Sequence, residues 1–267
     1  MIKVLISGAN GRMGQEVAKA VLAADDLELV GAADPFGQGK DVGALVGAKP
    51  NGVLIADNLA AEISRAKPEI VIDFTVPTAV YNNVLTYLEL GVCPVVGTTG
   101  MSLDAVNDLI ARSEKAGIGG LIAPNFALGA VLMMRFAAET ARFFPNVEVI
   151  ELHHDQKVDA PSGTAKTTVE MILAQRDEFQ QGPPNETENI AGVRGGKMSG
   201  GVRIHSIRLP GLVAHQEVLF GGLGQTLSIR HDTISRESFI PGILLAARKV
   251  KELKKIAYGL DKLLFNN

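Results

Sequence analysis

VLISGANGRMGQEVAKAVLAADDLELVGAAD, from Val4 to Asp34, is the stretch whose reading decides the fold. Its first residues are an apolar, β-branched run. Glycines follow at positions 8, 11 and 14, then apolar residues at helical spacing, then a second strand, LELVGAAD. Glycines between a strand and a helix permit a tight turn. They also let backbone N–H groups approach a pyrophosphate, an approach favoured by the helix dipole. The spacing G-x-x-G-x-x-G is a variant of the usual dinucleotide pattern, and a plain strand-to-helix turn would also use such glycines. Context favours the nucleotide: Asp34 closes the second strand about twenty residues on, where an acid that binds a ribose belongs.

Working outward, strand and helix patterns keep alternating: EIVIDF (69–74), a helix over Pro77–Leu90, CPVVG (93–97), a helix over Leu103–Lys115, and GGLIAP (119–124). Continuously apolar strands between helices predict an α/β fold, a Rossmann-like doubly wound parallel sheet. Two further loops fall at the carboxyl ends of predicted strands, GTTG (Gly97–Gly100) and APNF (Ala123–Phe126). Each can face a nicotinamide or be an ordinary turn.

Past residue 125 the pattern changes. A helix near Leu128–Phe143 leads to the strand NVEVIELHH and a helix over Thr164–Gln175. Residues 181–201, polar and rich in Gly and Pro, read as a mobile loop. Three alternating strands, VRIHSIRL, LVAHQEVLF and QTLSIRHD, read as an antiparallel sheet, and an amphipathic helix covers Phe239–Lys255. The expected organisation is a dinucleotide-binding domain over 1–125, to which a C-terminal helix within 240–267 returns. A second, α+β domain with a mixed or antiparallel sheet covers 126–239 and binds substrate. Hinges near Asn125 and Ile240 are expected to let the domains close.

Composition excludes several classes. With a net charge of −3 there is no basic field for nucleic acid, and no apolar run approaches the length of a membrane span. The opening MIKVLIS runs straight into a strand, so no cleaved leader is expected, and the cytoplasm is the expected location. The single cysteine, Cys93, permits neither an internal disulfide nor a cysteine-based metal site, and no metal is expected.

The chain has five histidines, and two stand side by side in ELHHDQKVDAPSGTA (Glu151–Ala165). His153 and His154 end a strand; Ser162, Gly163 and Thr164 open a helix whose first N–H groups can bind a carboxylate, with Lys157 as a matching cation. Histidine can donate a proton near neutral pH, and neighbouring side chains on a strand face opposite ways, so the two rings would do different jobs. A capped helix beside solvated histidines is the competing reading.

GANGRMG, DFTVP, GTTG, APNFALGAVLM, ELHHDQKVDAPSGTA and HSIRLPGLVAHQEVLFGGLGQTLSIRHD occur in this order along essentially the whole chain. In this the chain resembles the dihydrodipicolinate reductase (4-hydroxy-tetrahydrodipicolinate reductase) family, for which E-x-H-H-x-x-K-x-D-x-P-S-G-T-A is highly specific. The resemblance implies NAD(P)H-dependent reduction of a cyclic, unsaturated imine dicarboxylate in the diaminopimelate route to lysine. His153 then matches the proton donor and Lys157 the second catalytic residue, while His154, Gly163 and Thr164 match substrate contacts, with Ser162 in the same turn. Gly8, Ala9, Asn10, Gly11, Arg12 and Met13 match cofactor contacts, as do Asp34, the run Gly97, Thr98 and Thr99, and the run Ala123, Pro124, Asn125 and Phe126.

It further implies NADH or NADPH as cofactor, and a homotetramer assembled through the sheet of the second domain. Where some members follow the ribose-binding acid with an arginine that grips the 2′-phosphate of NADPH, this chain has Pro35 after Asp34. A semialdehyde or homoserine dehydrogenase of similar build would not call for the His-His-Lys turn. A non-catalytic dinucleotide sensor would not need a proton donor beside an anion-binding turn.

Overall fold

Strand β1 (Ile2–Ser7) buries residues on both of its faces from Val4 onward, which suits the middle of a covered sheet. In the computed structural model, which describes residues 1–177 and 179–265, it lies parallel to β2 (Leu27–Ala33) on one side and β4 (Ile70–Asp73) on the other. Helix α1 (Arg12–Ala23) crosses over from β1 to β2 and buries Val17, Ala18 and Val21. The chain continues through α2 (Val42–Leu45), β3 (Ile55–Ala56) and α3 (Leu59–Ala66) to β4. Then come α4 (Pro77–Glu89), β5 (Cys93–Val96), α5 (Leu103–Ala116) and β6 (Gly120–Ile122). Ser102 caps α5 by accepting from the Ala105 N–H at 3.2 Å, and Gly117 ends it in the left-handed region.

With β12 (Ile256–Tyr258), these strands form a seven-stranded parallel sheet in the order β12-β6-β5-β4-β1-β2-β3. Strand order reverses between β1 and β4, and ligands bind at the carboxyl ends of strands at such a switch point. Leu5, Val71, Val96, Ile122 and Ile256 share one apolar core with Val84 and Tyr87 of α4 and Leu109 of α5. Burying an aliphatic side chain of this size contributes roughly 1.5–3 kcal/mol.

The elements fall into two units, one made of Met1–Phe126 with the described part of Phe239–Asn267, the other of Ala127–Ser238. In the second, α6 (Leu128–Ala141) and α7 (Gly163–Leu173) pack on a five-stranded mixed sheet in the order β11-β10-β7-β9-β8. Its strands are β7 (Asn146–His153), β8 (Gly196–Lys197), β9 (Arg203–Arg208), β10 (Ala214–Gly222) and β11 (Gln225–Thr233).

Three expectations are corrected, and three short elements went unread. Strand β9 is not part of an antiparallel run with β10; it pairs in parallel with β7, which separates the two. Residues 181–201 are not featureless: they hold β8, and Arg194 is tied to Glu148 at 2.5 Å and to Glu186 at 2.8 Å. The C-terminal segment is not one helix. Helix α8 (Ile240–Lys249) stops before a 3-10 turn, β12 and α9 (Asp261–Leu264), because Ile256 buries into the core and β12 pairs with β6. Residues 266–267 of that expected helix lie outside the described residues. Lastly α2, β3 and α3 went unread, being four, two and eight residues long.

No helix among the described residues is long and apolar enough to cross a membrane. Nor does any group of three or more His, Cys, Asp or Glu side chains there suit a metal ion.

Candidate active site

One group of candidate residues lies at the rim of the parallel sheet. Gly8 leaves β1 at φ +83°, where an added Cβ would lie 2.3 Å from the Phe74 carbonyl oxygen; at Gly14 it would lie 2.1 Å from the Gly8 carbonyl oxygen. Both positions therefore exclude any side chain, and the loop folds back flat on the start of α1. Gly11 provides no side-chain cap, so no capping side chain covers the first N–H groups of α1. Ala9 is fully buried and offers only backbone, Asn10 and Met13 are half-buried, and Arg12 is exposed at the start of the helix.

Asp34 stands at the end of β2 and accepts from the Asn10 N–H at 3.0 Å and from the Phe36 N–H at 2.8 Å. Lys40 reaches the same corner, its Nζ 3.4 Å from Asn10 Oδ1. A cavity of about 490 Å³ opens here, lined by Gly8, Asn10, Gly11, Asp34, Phe36 and Thr75 among others. The flat glycine turn, the uncapped helix start, the acid and this volume fit the adenosine and pyrophosphate of a dinucleotide.

The loop through Thr98 is held from below by Asp73, a residue that sequence reasoning did not single out. Its fully buried carboxylate accepts from the hydroxyls of Thr75, Thr98 and Tyr87, each at 2.7 Å, from the Thr75 N–H at 3.0 Å and from Asn83 at 3.1 Å. Burial, then the charge of Asp73, pushes the Tyr87 hydroxyl well above its usual range, so it stays a donor. Thr98 thus spends its side chain inward, Thr99 is exposed, and Gly97 lies against the Phe74 ring. Ala123 is bonded to Val96, Pro124 is exposed, Asn125 is half-buried, and Phe126 stacks at a tilt on Phe74 with centroids 6.1 Å apart.

Asp73→Ala would leave several buried donors without an acceptor, each costing roughly 1–3 kcal/mol. We expect a loss of about 3–5 kcal/mol of stability in urea melts together with weaker dinucleotide binding. An unchanged midpoint would contradict this account.

A second group of candidate residues belongs to the unit formed by Ala127–Ser238. Strand β7 ends at His153, and the turn that follows leads into α7. His154 lies beyond the strand in that turn, exposed, so the expected alternation of two strand side chains does not apply to it. Ser162 caps α7 by accepting from the Ala165 N–H at 3.1 Å. Gly163 opens the helix, an added Cβ there meeting nothing within 4 Å, and Thr164 is half-buried beside it. Lys157 Nζ lies 2.5 Å from Asp159 Oδ1, and this contact lowers the Asp159 pKa.

Beneath them is Glu151, fully buried and absent from the residues proposed from sequence. His153 Nδ1 lies 2.5 Å from its Oε2. Arg208 clamps both carboxylate oxygens, at 2.9 and 2.7 Å, and the Ser162 N–H donates to Oε1 at 3.3 Å. Burial alone would raise the Glu151 pKa; hydrogen bonds from His153, Arg208 and Ser206 outweigh it and bring the value from 4.5 to about 2. The stabilisation from this carboxylate is therefore complete above about pH 4.5 and fades as pH falls toward 2. With Nδ1 occupied, Nε2 is the ring nitrogen of His153 left for chemistry.

A Rossmann sheet with a glycine cradle, carried in one chain with a histidine bound to a buried carboxylate and a serine-capped helix start, fits a nicotinamide-dependent oxidoreductase. Sequence profiles of "Dihydrodipicolinate reductase, N-terminus" and "Dihydrodipicolinate reductase, C-terminus" match residues 2–126 and 129–264. The chain belongs to the dihydrodipicolinate reductase family, and it is an enzyme.

It is 51% identical over 263 residues to the 4-hydroxy-tetrahydrodipicolinate reductase of Moorella thermoacetica, covering 98% of each chain. To the enzyme of that name in Listeria innocua it is 50% identical over 263 residues, 98% of this chain and 100% of the relative. Among solved structures it is similar to a dipicolinate-bound dihydrodipicolinate reductase from Paenisporosarcina sp. TG-14. There the TM-score is 0.87 and the identity 44%, covering 98% of this chain and 99% of the other.

Proposed function

We propose that His153 and Lys157 carry the chemistry and that the start of α7 seats a substrate carboxylate. The chain reduces 4-hydroxy-tetrahydrodipicolinate to tetrahydrodipicolinate, a step of lysine biosynthesis through diaminopimelate. Net reduction adds a hydride and a proton and releases the 4-hydroxyl as water. The nicotinamide supplies the hydride when bound. His153 supplies the proton from Nε2 to the ring carbon where charge collects. Lys157, His154 and the first-turn N–H groups of α7, with Ser162, Gly163 and Thr164, hold the carboxylates and offset the charge that develops toward the ring nitrogen.

The observation that carries this reading is His153 Nδ1 bound to a buried, ionised Glu151, which leaves Nε2 for the substrate. The test is loss of NAD(P)H absorbance when synthase-generated substrate is added. Turnover of a semialdehyde instead, or dinucleotide binding without turnover, would overturn it.

The loops Gly8–Met13, Gly97–Thr99 and Ala123–Phe126 hold the dinucleotide, and Asp34 takes the ribose. Both Asp34 oxygens already accept one backbone N–H, and each has capacity for a ribose hydroxyl of NADH. Against a 2′-phosphate Asp34 is repulsive, while Lys40 at the same corner and Arg12 at the head of α1 are attractive. We expect both cofactors to be used, with kcat/KM within roughly 30-fold, about 2 kcal/mol. Arg12→Ala or Lys40→Ala should penalise NADPH selectively, and Asp34→Ala should penalise NADH. Strict use of one cofactor by the parent enzyme rejects this balance.

The same reading places the enzyme in the cytoplasm as a homotetramer built on the sheet of the second unit. That sheet turns Ile150, Leu152 and Leu219 away from the face of buried Val149 and Val218. Sedimentation of the purified chain tests the assembly.

A further inference from the structure

Glu151 receives more than an ion pair needs. Donors from four residues converge on its two oxygens: His153 Nδ1, two N–H groups of one Arg208 guanidinium, the Ser162 backbone N–H and the Ser206 side chain. A carboxylate offers about four acceptor sites, so this one is filled and cannot turn away. Arg208 is held in its own right, donating to the Asp159 and Ile207 carbonyls at 2.8 Å each. Stability alone gives no reason for an ionised pair here, since a buried ion pair about breaks even with apolar side chains of similar volume.

We propose that Glu151, clamped by Arg208, is a positioning residue that keeps a proton on His153 Nδ1, so that Nε2 is the atom that protonates substrate. This rests on His153 being the proton donor. An ionised carboxylate can only accept, so the nitrogen facing it must carry hydrogen in both charge states of the ring. Because Glu151 also accepts from Ser162, the N-cap of α7, one buried group sets the acid and the carboxylate seat in register.

The charged and polar groups around it are few. Arg208 and Ser206 approach from β9, Ser162 from α7, and Gln216, neutral, from the register position on β10. Lys157 and Asp159 pair with each other in the connecting turn. Among the described residues only Arg208 lies against the carboxylate with a permanent opposite charge, so Glu151 stays ionised when the His153 ring gives up its proton.

Glu151→Gln separates position from bulk. Arg208 has only donors and takes the amide oxygen, which turns the amide NH₂ toward His153 Nδ1 and forces the ring into the other tautomer. We expect kcat to fall roughly 10²-fold, the scale for losing a group that orients a functional histidine, with KM for the dicarboxylate changing less than about fivefold. Glu151→Asp, which keeps the charge, should recover part of kcat.

Nitrogen-15 spectra of the histidines give a readout that a merely structural role would not move. At high pH the wild-type ring should carry Nδ1–H, and the Gln variant Nε2–H. A wild-type His153 protonated at Nε2 overturns the proposal even if the variant fails to fold, and so does a folded Glu151→Gln enzyme with kcat within about threefold of wild type. His153→Ala keeps the two readings apart. If that variant is slow while Glu151→Gln is fast, positioning alone falls; if His153→Ala is fast, the proton-donor reading falls with it.

Discussion

His153→Ala is expected to lower kcat by roughly 10²-fold or more, the scale of losing a general acid, with substrate affinity changing much less. The split follows from where each task sits. The imidazole is bound to Glu151 through Nδ1 and leaves Nε2 as the proposed proton source, which the variant removes. Its removal leaves the carboxylate seat standing: Ser162 still caps α7 on Ala165, and Lys157 is held by Asp159. The deletion also strips one hydrogen bond from a buried carboxylate, but Arg208 still covers both of its oxygens, so the fold should persist. Steady-state kinetics at saturating cofactor, beside a thermal melt, give the answer. Near-normal kcat in the folded variant removes His153 from the mechanism.

What could be read in the sequence depended on how local its cause was. The β1–α1–β2 unit is written in adjacent residues, apolar runs punctuated by glycines that the turn cannot replace, and it formed where its pattern lies. Ser162 announced the start of α7 by the same kind of local rule. Glu151 was within reach too: two residues before His153 on a strand, it must share that face. Residue type alone does not separate a buried carboxylate on a strand from an exposed one, and its partner Arg208 lies far along the chain. Arg208 had no such signal. It stands opposite His153 only through the parallel pairing of β7 with β9, which brings it onto Glu151, 57 residues earlier in the chain. β12 was hidden for a similar reason, since three residues carry no periodicity and only the free edge of β6 makes them a strand. Asp73 looked like the polar end of an apolar run, and its five donors come from three different segments.

Lys157→Ala should be at least as severe as loss of the histidine, for an electrostatic reason. The substrate carries two carboxylates, and reduction sends further negative charge toward the ring nitrogen, so a cation beside it is worth most in the transition state. Without substrate the ammonium rests on Asp159, which is itself more than half exposed and free to yield to a better-placed carboxylate. Its removal should lower kcat/KM by roughly 10²- to 10³-fold, about 3–4 kcal/mol, in the range seen for single groups that stabilise developing charge. Lys157→Arg, with a charge of different shape, should keep part of that. Asp159→Asn should cost far less, because it releases the cation without deleting it. Lys157 lies in the unit formed by Ala127–Ser238, whereas the glycine cradle and Asp34 belong to the other, so NADH affinity should stay near wild type. Fluorescence titration of each variant with NADH checks this. A loss of cofactor binding as large as the loss of kcat/KM would show that Lys157 serves the dinucleotide, and the division of tasks between the two units would fail.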